Sequence, residues 1–295
     1  MKHPYSTFEF ANIYNHIGSP IEIPEWDTWS IQRIIPNNNG KDVMGCYPLI
    51  LIQSEADLNG GLKRLRELGL ISIVFVADAF TNPSLPQMTQ IFNLIKPFKT
   101  HYLHNNNLPT QYSKHHRYEL KQSLKQVEVR IISLSDYLPQ WIDLYQNLIT
   151  HHNISGIQAF PPNALYDMGK LDGFTTIAAF HNNTMVSCHI WACSDNQVHS
   201  YLAASNKEGY SFRAAYAIYD AAIQHFSNVE IINFGGSAGL GDNPEDGLAK
   251  FKSGFSNHRE IAHIYGSILN HEKYELLTKN LNPNIHYFPA YRGIS

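Results

Sequence analysis

The segment GLAKFKSGFS combines two lysines with two phenylalanines near the end of the chain. If the segment is helical, Leu248, Phe251 and Phe255 fall on one face at 100° per residue. Lys252 lies at the edge of that apolar face, whereas Lys250 points away from it. An ammonium group that packs beside aromatic rings and is withdrawn from water is a strong local cation. The spacing therefore predicts a cationic site at Lys252 and a solvated Lys250, while an ordinary amphipathic turn stays open as the alternative.

A second cationic stretch, YLAASNKEGYSFRAAY, changes from strand-like to helix-like sequence. The strand ends near Ser205, and Ser211 is the predicted N-cap of the following helix. Such a junction presents free backbone N–H groups at the positive end of a helix dipole, where phosphates bind. Lys207 and Arg213 flank the junction. The sequence predicts either a phosphate site or an ordinary capped helix.

A third basic stretch is SKHHRYELKQSLKQ, which reads as a helix. Lys114, Arg117, Lys121 and Lys125 recur at positions that share one stripe of this helix. A basic stripe can hold a phosphate-bearing substrate. The same pattern is also typical of a solvated helix face, and the sequence does not separate the two.

Other chemistries find less support in the sequence. The glycines of GGSAGLG (235–241) follow a strand, but they lead into the acidic DNPEDG instead of a helix, so we predict a surface loop there rather than a dinucleotide site. The 16 histidines form no HExxH motif and no paired CxxC motif, so no metal ligands are assigned. Cys188 and His189 would point to opposite faces of a strand.

The elements that must position these residues alternate between strand-like and helix-like segments. In the first half, runs 43–52 and 70–80 predict strands, and runs 54–68 and 85–98 predict helices. Ser54 is the predicted N-cap of the first of these helices.

In the second half, FTTIAAF, TMVSCHIWAC and QVHSYLAAS are separated by the turn compositions HNN and SDN, which predicts an antiparallel meander. A helix over 211–226 and a strand over 229–234 follow. The polar segment NNNLPTQYS is the predicted internal boundary, which divides the chain into domains 1–108 and 109–295.

The bulk composition limits the classes of protein. A chain of 295 residues with 43% hydrophobic residues can bury one large core or two ordinary ones. A net charge of −3 argues against a protein that grips long nucleic acids. Three cysteines are too few for a disulfide framework and predict a reducing, cytoplasmic location. The beginning of the chain is a poor signal peptide, and no run of 18 apolar residues predicts a transmembrane segment.

The order of these motifs resembles the FemAB-like branch of the GNAT acyltransferase superfamily. GLAKFKSGFS is similar to a glycine–aromatic–Phe-Lys–x-Gly-Phe signature, and the basic helix, the meander, the helix after it and the strand ending in Gly-Gly precede it in the family's order. The resemblance covers most of 98–265. It implies an α/β (α+β) fold of two GNAT-like halves around a shared cleft, each a mixed, largely antiparallel sheet flanked by helices. The C-terminal half would carry the donor junction and the Phe-Lys motif.

The resemblance implies transfer of an acyl or aminoacyl group to an amine, from acyl-CoA or from aminoacyl-tRNA, without a metal. Phe251 and Lys252 match the family's Phe-Lys pair, whose lysine lies at the reaction centre. Tyr201 and Tyr216 are candidates to protonate the leaving group. The residues matching the donor junction are Ser205, Asn206, Lys207, Gly209, Tyr210, Ser211 and Arg213. The candidates to bind an anionic acceptor are Lys114, Arg117 and Lys121.

The chain departs from the family pattern in two ways. SNKEGYS is a degenerate form of the RxxGxG/A donor motif, which leaves the donor open. The long helical-hairpin arm of some peptidoglycan aminoacyltransferases is missing, which favours a CoA donor over a large tRNA surface. The expected acceptor is a small molecule or a peptidoglycan-precursor-like molecule, with tRNA only as a donor carrier. Two alternatives remain open: a nucleotide-dependent enzyme such as a methyltransferase using the 235–241 loop, and a non-catalytic GNAT-fold binding protein.

Overall fold

The computed structural model describes residues 2–78, 83–239, 241–282 and 286–293. The fold is mixed α/β, with mostly antiparallel strands flanked by helices, as the sequence predicted. The chain forms two compact units. The site unit consists of Met1–Pro4 and Lys99–Glu260, and the second unit consists of Tyr5–Phe98 and Ile261–Ser295.

This division differs from the predicted domains 1–108 and 109–295. The chain changes unit between residues 98 and 99, and residues 261–295 return to the second unit. The reason is strand pairing, because the segment from His263 to Ile268 pairs antiparallel with the segment from Ser72 to Ala77. A boundary read from composition cannot register a pairing between segments so far apart in sequence.

The strands are β1 (Ser19–Ile23), β2 (Thr28–Ile34), β3 (Lys41–Met44), β4 (Ser72–Ala77), β5 (Leu94–Asn105), β6 (Glu128–Ile132), β7 (Phe174–His181), β8 (Thr184–Cys193), β9 (Gln197–Ser205), β10 (Ile231–Asn233) and β11 (His258–Ile268). The helices are α1 (Phe8–Asn12), α2 (Leu58–Glu67), α3 (Leu85–Ile91), α4 (Lys114–Ser123), α5 (Leu138–His152), α6 (Pro162–Met168), α7 (Lys207–Ser211), α8 (Ala214–His225), α9 (Gly247–Ser253) and α10 (His271–Thr278).

In the second unit the strand order is β1-β2-β3-β4-β11, and every pair except β3–β4 is antiparallel. Its core is aromatic, with Trp26, Phe75, Phe92 and Tyr265 packed together. Gly61 of α2 lies against the indole of Trp26, where a Cβ would come within 2.1 Å of Nε1. The core therefore requires glycine at this position of the helix.

Several predicted boundaries in the second unit are wrong. Helix α2 begins at Leu58 after the N-cap Asp57 rather than after Ser54, since the Asp57 carboxylate accepts the Gly60 N–H at 2.8 Å. The predicted helix 85–98 ends at Ile91, since Phe92 already has an extended backbone and β5 begins at Leu94.

Two predicted strands are also shorter in the structure. The run 43–52 is a strand only as far as Met44, and a proline at position 48 offers no N–H for pairing. The run 70–80 forms β4 over Ser72–Ala77, and its last two residues lie outside the described residues.

In the site unit the strand order is β5-β10-β9-β8-β7-β6, and the predicted meander over β7, β8 and β9 is confirmed. The pair β9–β10 is parallel and joins Gln197–His199 to Ile231–Asn233. Beyond His199, β9 continues to Ser205, and none of the described β10 residues pairs with that part. The two strands therefore diverge at their carboxyl ends, which is where ligands bind in open α/β sheets.

Candidate active site

Lys252 lies inside the site unit near the point where β9 and β10 diverge. Helix α9 begins after Asp246, whose carboxylate accepts the N–H groups of Leu248 and Ala249. Lys252 is 8% exposed, and its Nζ donates to the carbonyl oxygen of Gly236 at 2.7 Å. Lys250 has a 61% exposed side chain and pairs with Glu245. The predicted difference in facing between the two lysines is confirmed.

The buried position of Lys252 changes its proton affinity. Burial and, to a smaller extent, the positive charge of Lys99 lower the pKa of its ammonium from 10.5 to about 7, and Asp246 opposes the shift. Burial also lowers the pKa of Lys99, against the opposing effects of Asp242 and Asp246. Near neutral pH, Lys252 is therefore divided between a charged hydrogen-bond donor and a neutral amine.

The glycine-rich loop after β10 holds these lysines through its carbonyl groups. Gly235 has a φ of +74°, in the left-handed region that favours glycine. Lys99 Nζ donates to the carbonyls of Ser237 at 2.7 Å and Gly239 at 2.5 Å. Leu240 lies outside the described residues. Carbonyl oxygens that face ammonium groups are the opposite of the N–H cradle that a phosphate needs, which argues against the nucleotide-binding alternative.

An aromatic platform supports the Phe-Lys pair. The Phe251 ring lies 4.9 Å from the Tyr216 ring and 4.7 Å from the Tyr219 ring, between ring centroids. The backbone of Phe251 is fixed as well, because its carbonyl accepts the Nε2–H of His116 at 2.8 Å. Burial lowers the pKa of His116, so the ring is neutral and its Nδ1 accepts from the Ser113 hydroxyl at 2.9 Å. Helix α4 thus supplies the residue that orients this turn of α9.

The glycine of the motif has a packing role. A Cβ on Gly254 would lie 2.0 Å from Cε1 of His116. Glycine therefore allows α4 and the end of α9 to approach closely enough for the hydrogen bond from His116 to Phe251. The contact between His116 and the motif was not predicted from the sequence. The only signal was Ser113, a residue type typical of an N-cap, which indicates where this helix begins.

The two candidate tyrosines lie on different faces of the sheet. Tyr216 of α8 contacts His116 at 5.1 Å, and burial raises its pKa. Tyr201 of β9 is 4% exposed, and its ring contacts Phe160 and Phe174. Its neighbour on β9, the residue at position 200, hydrogen-bonds to Tyr219 of α8, and successive residues of a strand alternate between faces. The structure therefore brings Tyr216, but not Tyr201, to the Phe-Lys pair.

At the predicted donor junction, the short helix α7 precedes α8, so two helices stand where one was predicted. The N-cap is Asn206, whose side chain accepts the Gly209 N–H at 2.8 Å, so the prediction of Ser211 as the N-cap is wrong. Ser211 is instead the last residue of α7. A Cβ on Gly209 would lie 2.2 Å from the Val186 carbonyl oxygen, so glycine lets α7 pack directly against β8.

Arg213 separates α7 from α8, with a φ of +58° that interrupts the predicted helix 211–226. Its guanidinium forms an ion pair with Glu119 of α4. Ser205 is also committed to a local bond, since its hydroxyl lies 2.7 Å from that of Ser187. Lys207 and Tyr210 are exposed.

The basic stripe lies on the outer face of α4. Lys114, Arg117 and Lys121 are exposed, and Arg117 donates to the Tyr112 carbonyl at 2.9 Å. The same helix turns His116 inward toward Phe251. The stripe is therefore a solvated face of the helix that orients the motif.

Three further observations on the described residues bear on function. Within them, no cluster of three or more His, Cys, Asp or Glu side chains is arranged to hold a metal ion. No helix among those described has the length and apolar character needed to cross a membrane. A shallow surface depression lies against Lys125, Glu128 and Asn183, and Lys252 is not part of its lining.

Comparison with known proteins finds a family model that matches the part of the chain carrying these residues. Residues 170–272 match the model of the FemAB family, and this range includes the meander, the donor junction and the Phe-Lys motif. No curated protein is significantly similar to this chain in sequence.

Solved structures share the fold at low sequence identity. FemX superposes with a TM-score of 0.66 and 12% identity, covering 93% of this chain and 95% of FemX. L-PGS from Bacillus licheniformis superposes with a TM-score of 0.58 and 8% identity, covering 90% of this chain and 93% of that chain. The resemblance predicted from the sequence is confirmed: residues 170–272 match the FemAB family model, and the fold is shared with FemX.

Proposed function

We propose that this protein transfers an acyl group from a thioester donor, acyl-CoA, to an amine, with Lys252 at the reaction centre. The observation that carries the proposal is the buried ammonium of Lys252, which is held by a backbone carbonyl within the range 170–272 that matches the FemAB family model. Burying a charge is costly, and a perturbed lysine in such a place is a candidate for function.

The reaction develops a negative charge on the carbonyl oxygen that Lys252 can stabilise. The amine nitrogen attacks the acyl carbonyl carbon, a C–N bond forms, and the carbonyl electron pair moves onto the oxygen. The pair then returns as the C–S bond breaks, and the thiolate leaves and takes up the proton that the nitrogen loses. A donor aimed at the transient oxyanion is worth about 10²–10³ in rate, and we assign this role to the Lys252 ammonium.

The remaining residues take supporting roles in this proposal. Phe251 and Tyr216 form the apolar platform that keeps water from the reacting carbonyl, with Tyr216 as the candidate to protonate the thiolate. The donor's phosphates would meet the junction, namely Asn206, Lys207, Gly209, Tyr210 and Arg213, with Ser205 and Ser211 at its two ends. The stripe of Lys114, Arg117 and Lys121 would bind an anionic acceptor such as a peptidoglycan-precursor-like molecule. Three free cysteines fit a reducing, cytoplasmic setting.

The proposal is tested by CoA release from a panel of acyl-CoA esters in the presence of mixed amine acceptors, with aminoacyl-tRNA as a separate donor. Lys252→Met should lower turnover by about 10²–10³ with the fold intact. Lys250→Met, two residues away on the same helix, should turn over like the wild type. Equal losses in the two variants, or no transfer from any donor, would overturn the proposal.

One observation favours a second candidate, a protein that binds an acyl donor without turnover. The Asn206 side chain already occupies the Gly209 N–H at the junction. This candidate predicts that acyl-CoA raises the melting temperature equally in the wild type and in Lys252→Met, and that no CoA is released.

A further inference from the structure

A buried histidine on β8 has an unused polar atom beside the proposed reaction centre. His189 is 4% exposed, and within the described part of the chain its Nδ1 is buried without a hydrogen-bond partner. A buried polar atom left unpaired costs about 1–3 kcal/mol, so native proteins rarely keep one without a use.

The ring of His189 faces the same side of the sheet as α8 and α9. It lies 5.6 Å from the ring of Tyr219, at 90° to it. Burial and, to a smaller extent, the nearby positive charge of Lys252 lower the pKa of His189 to about 3. The imidazole is therefore neutral around neutral pH and can present an N–H at Nδ1 without adding a second charge beside the ammonium.

The strand register locates this ring beyond the paired part of β9 and β10. His189 lies opposite Ala203 of β9, four residues past His199, where the pairing with β10 ends. Four residues of strand correspond to about 13 Å. The Lys252 ammonium is bonded to the chain that follows β10, because it donates to the carbonyl of Gly236, three residues past Asn233. The charge of Lys252 acts on His189, so the two side chains lie near each other beyond the paired part of β9 and β10.

We infer that His189 contacts the substrate, with its Nδ1–H and the Lys252 ammonium together binding the carbonyl oxygen of the transferred acyl group. Two donors suit one oxygen with two lone pairs, and a neutral donor beside a cation avoids the repulsion of a second positive charge. The inference rests on the proposed function, which supplies the acyl donor. As the amine attacks, the carbonyl electron pair moves onto this oxygen, and it returns when the C–S bond breaks and the thiolate takes the proton lost by nitrogen.

The test compares two non-reactive CoA probes, one with and one without the acyl carbonyl. A ketone analogue keeps the acyl carbonyl and replaces the thioester sulfur by a methylene, whereas an S-alkyl CoA thioether lacks the carbonyl. Protein labelled with ¹⁵N-histidine reports the Nδ1 resonance of His189, which is assigned by its loss in His189→Asn. We expect the ketone analogue, but not the thioether, to shift this resonance.

Affinities provide the second readout. His189→Leu removes the donor, and should weaken the ketone analogue about tenfold while leaving the thioether unchanged. His189→Asn keeps an N–H near the position of Nδ1 and should retain most of the ketone affinity. Equal behaviour of the two probes in the resonance and in the affinities would overturn the role of His189 and leave the acyltransferase proposal standing. If neither probe binds the wild type, the CoA donor itself is wrong and the inference falls with it.

Discussion

Asp42 in the second unit and Lys252 in the site unit are both buried charged side chains, and their charges are treated in opposite ways. In the second unit, Asp42 is fully buried and accepts hydrogen bonds from Arg33, Arg292 and Tyr291. In the site unit, the Lys252 ammonium is held by one backbone carbonyl and feels the repulsion of Lys99. A compensated buried charge holds a structure together, whereas a poorly compensated one is retained for chemistry.

The parallel strand pairs of the two units show the same contrast. After β3, the chain stays on β4, since the N–H groups of Gly45 and Ile50 donate to the Val74 and Val76 carbonyls. After β10, the chain stays on β5 instead, with the Gly235 carbonyl accepting from the N–H of the residue at position 102. In the second unit, backbone therefore covers the edge of β4 beyond its pairing with β3. In the site unit, the corresponding edge of β9 beyond its pairing with β10 faces Lys252 and His189.

The largest expected effect on stability is at Asp42. Asp42→Asn leaves two buried arginine side chains without their counter-charge, and should lower the free energy of unfolding by about 3–5 kcal/mol. Denaturant unfolding followed by circular dichroism measures the loss. Asp167→Asn, which removes an exposed pair with Lys170 at 2.8 Å, is the control and should change nothing measurable. Equal effects at the two positions would show that Asp42 is not the compensated centre described here.

Lys252→Met should raise the free energy of unfolding, and the size of this gain should depend on pH. The folded-state pKa is about 7, against 10.5 for the unfolded chain, so between these values the unfolded state binds more protons and wild-type stability rises with pH. The variant removes a penalty that is complete below pH 7 and absent above about pH 10.5. Lys252→Met should therefore be more stable than the wild type at pH 6 by a few kcal/mol, with the gap closing as pH rises. A pH-independent difference would contradict the low folded-state pKa.

A smaller effect is expected at the glycine of the motif. Gly254→Ala places a methyl group against the His116 ring, and should cost about 1–3 kcal/mol because α4 or α9 must shift. Gly247→Ala on the same helix is the matched control, since a Cβ there meets open space. Adding His116→Ala to Gly254→Ala should recover part of the loss, as thermal unfolding of the double variant would show. No recovery would mean that the contact with His116 is not the source of the cost.

The smallest effect is expected at Lys250. Its side chain and that of Glu245 are 61% and 79% exposed, and exposed ion pairs add little to stability. Lys250→Met should match the wild type in its melting temperature at both pH 6 and pH 9. A pH-dependent change like that of Lys252→Met would show that the two lysines are equivalent after all.

The features that the sequence could predict were those set by local periodicity. Helical phase separated Lys250 from Lys252, and strand alternation with tight-turn compositions predicted the meander. The Phe-Lys motif and its order among the elements indicated the family. Each of these signals lies within a few residues of chain, where sequence patterns are informative.

The features that could not be predicted depend on contacts between distant segments. Lys99 joins Lys252 only because β5 passes beside the loop after β10, and His116 reaches Phe251 from another helix. His189 gave no signal beyond its alternation with Cys188. The break between α7 and α8 depends on the positive φ angle of Arg213, and the residue type arginine does not predict a positive φ.

The pairing of β11 with β4 has a consequence for the order in which the protein is made. All residues of the site unit have been synthesised once the ribosome passes Glu260, but the sheet of the second unit still lacks its last strand at that moment. The half that is translated first must wait for residues 261–268, while the half that holds Lys252 has every segment it needs to fold. During translation, the edge of β4 therefore stays unpaired until residues 261–268 have been made. Until then, this edge must be protected from pairing with other chains.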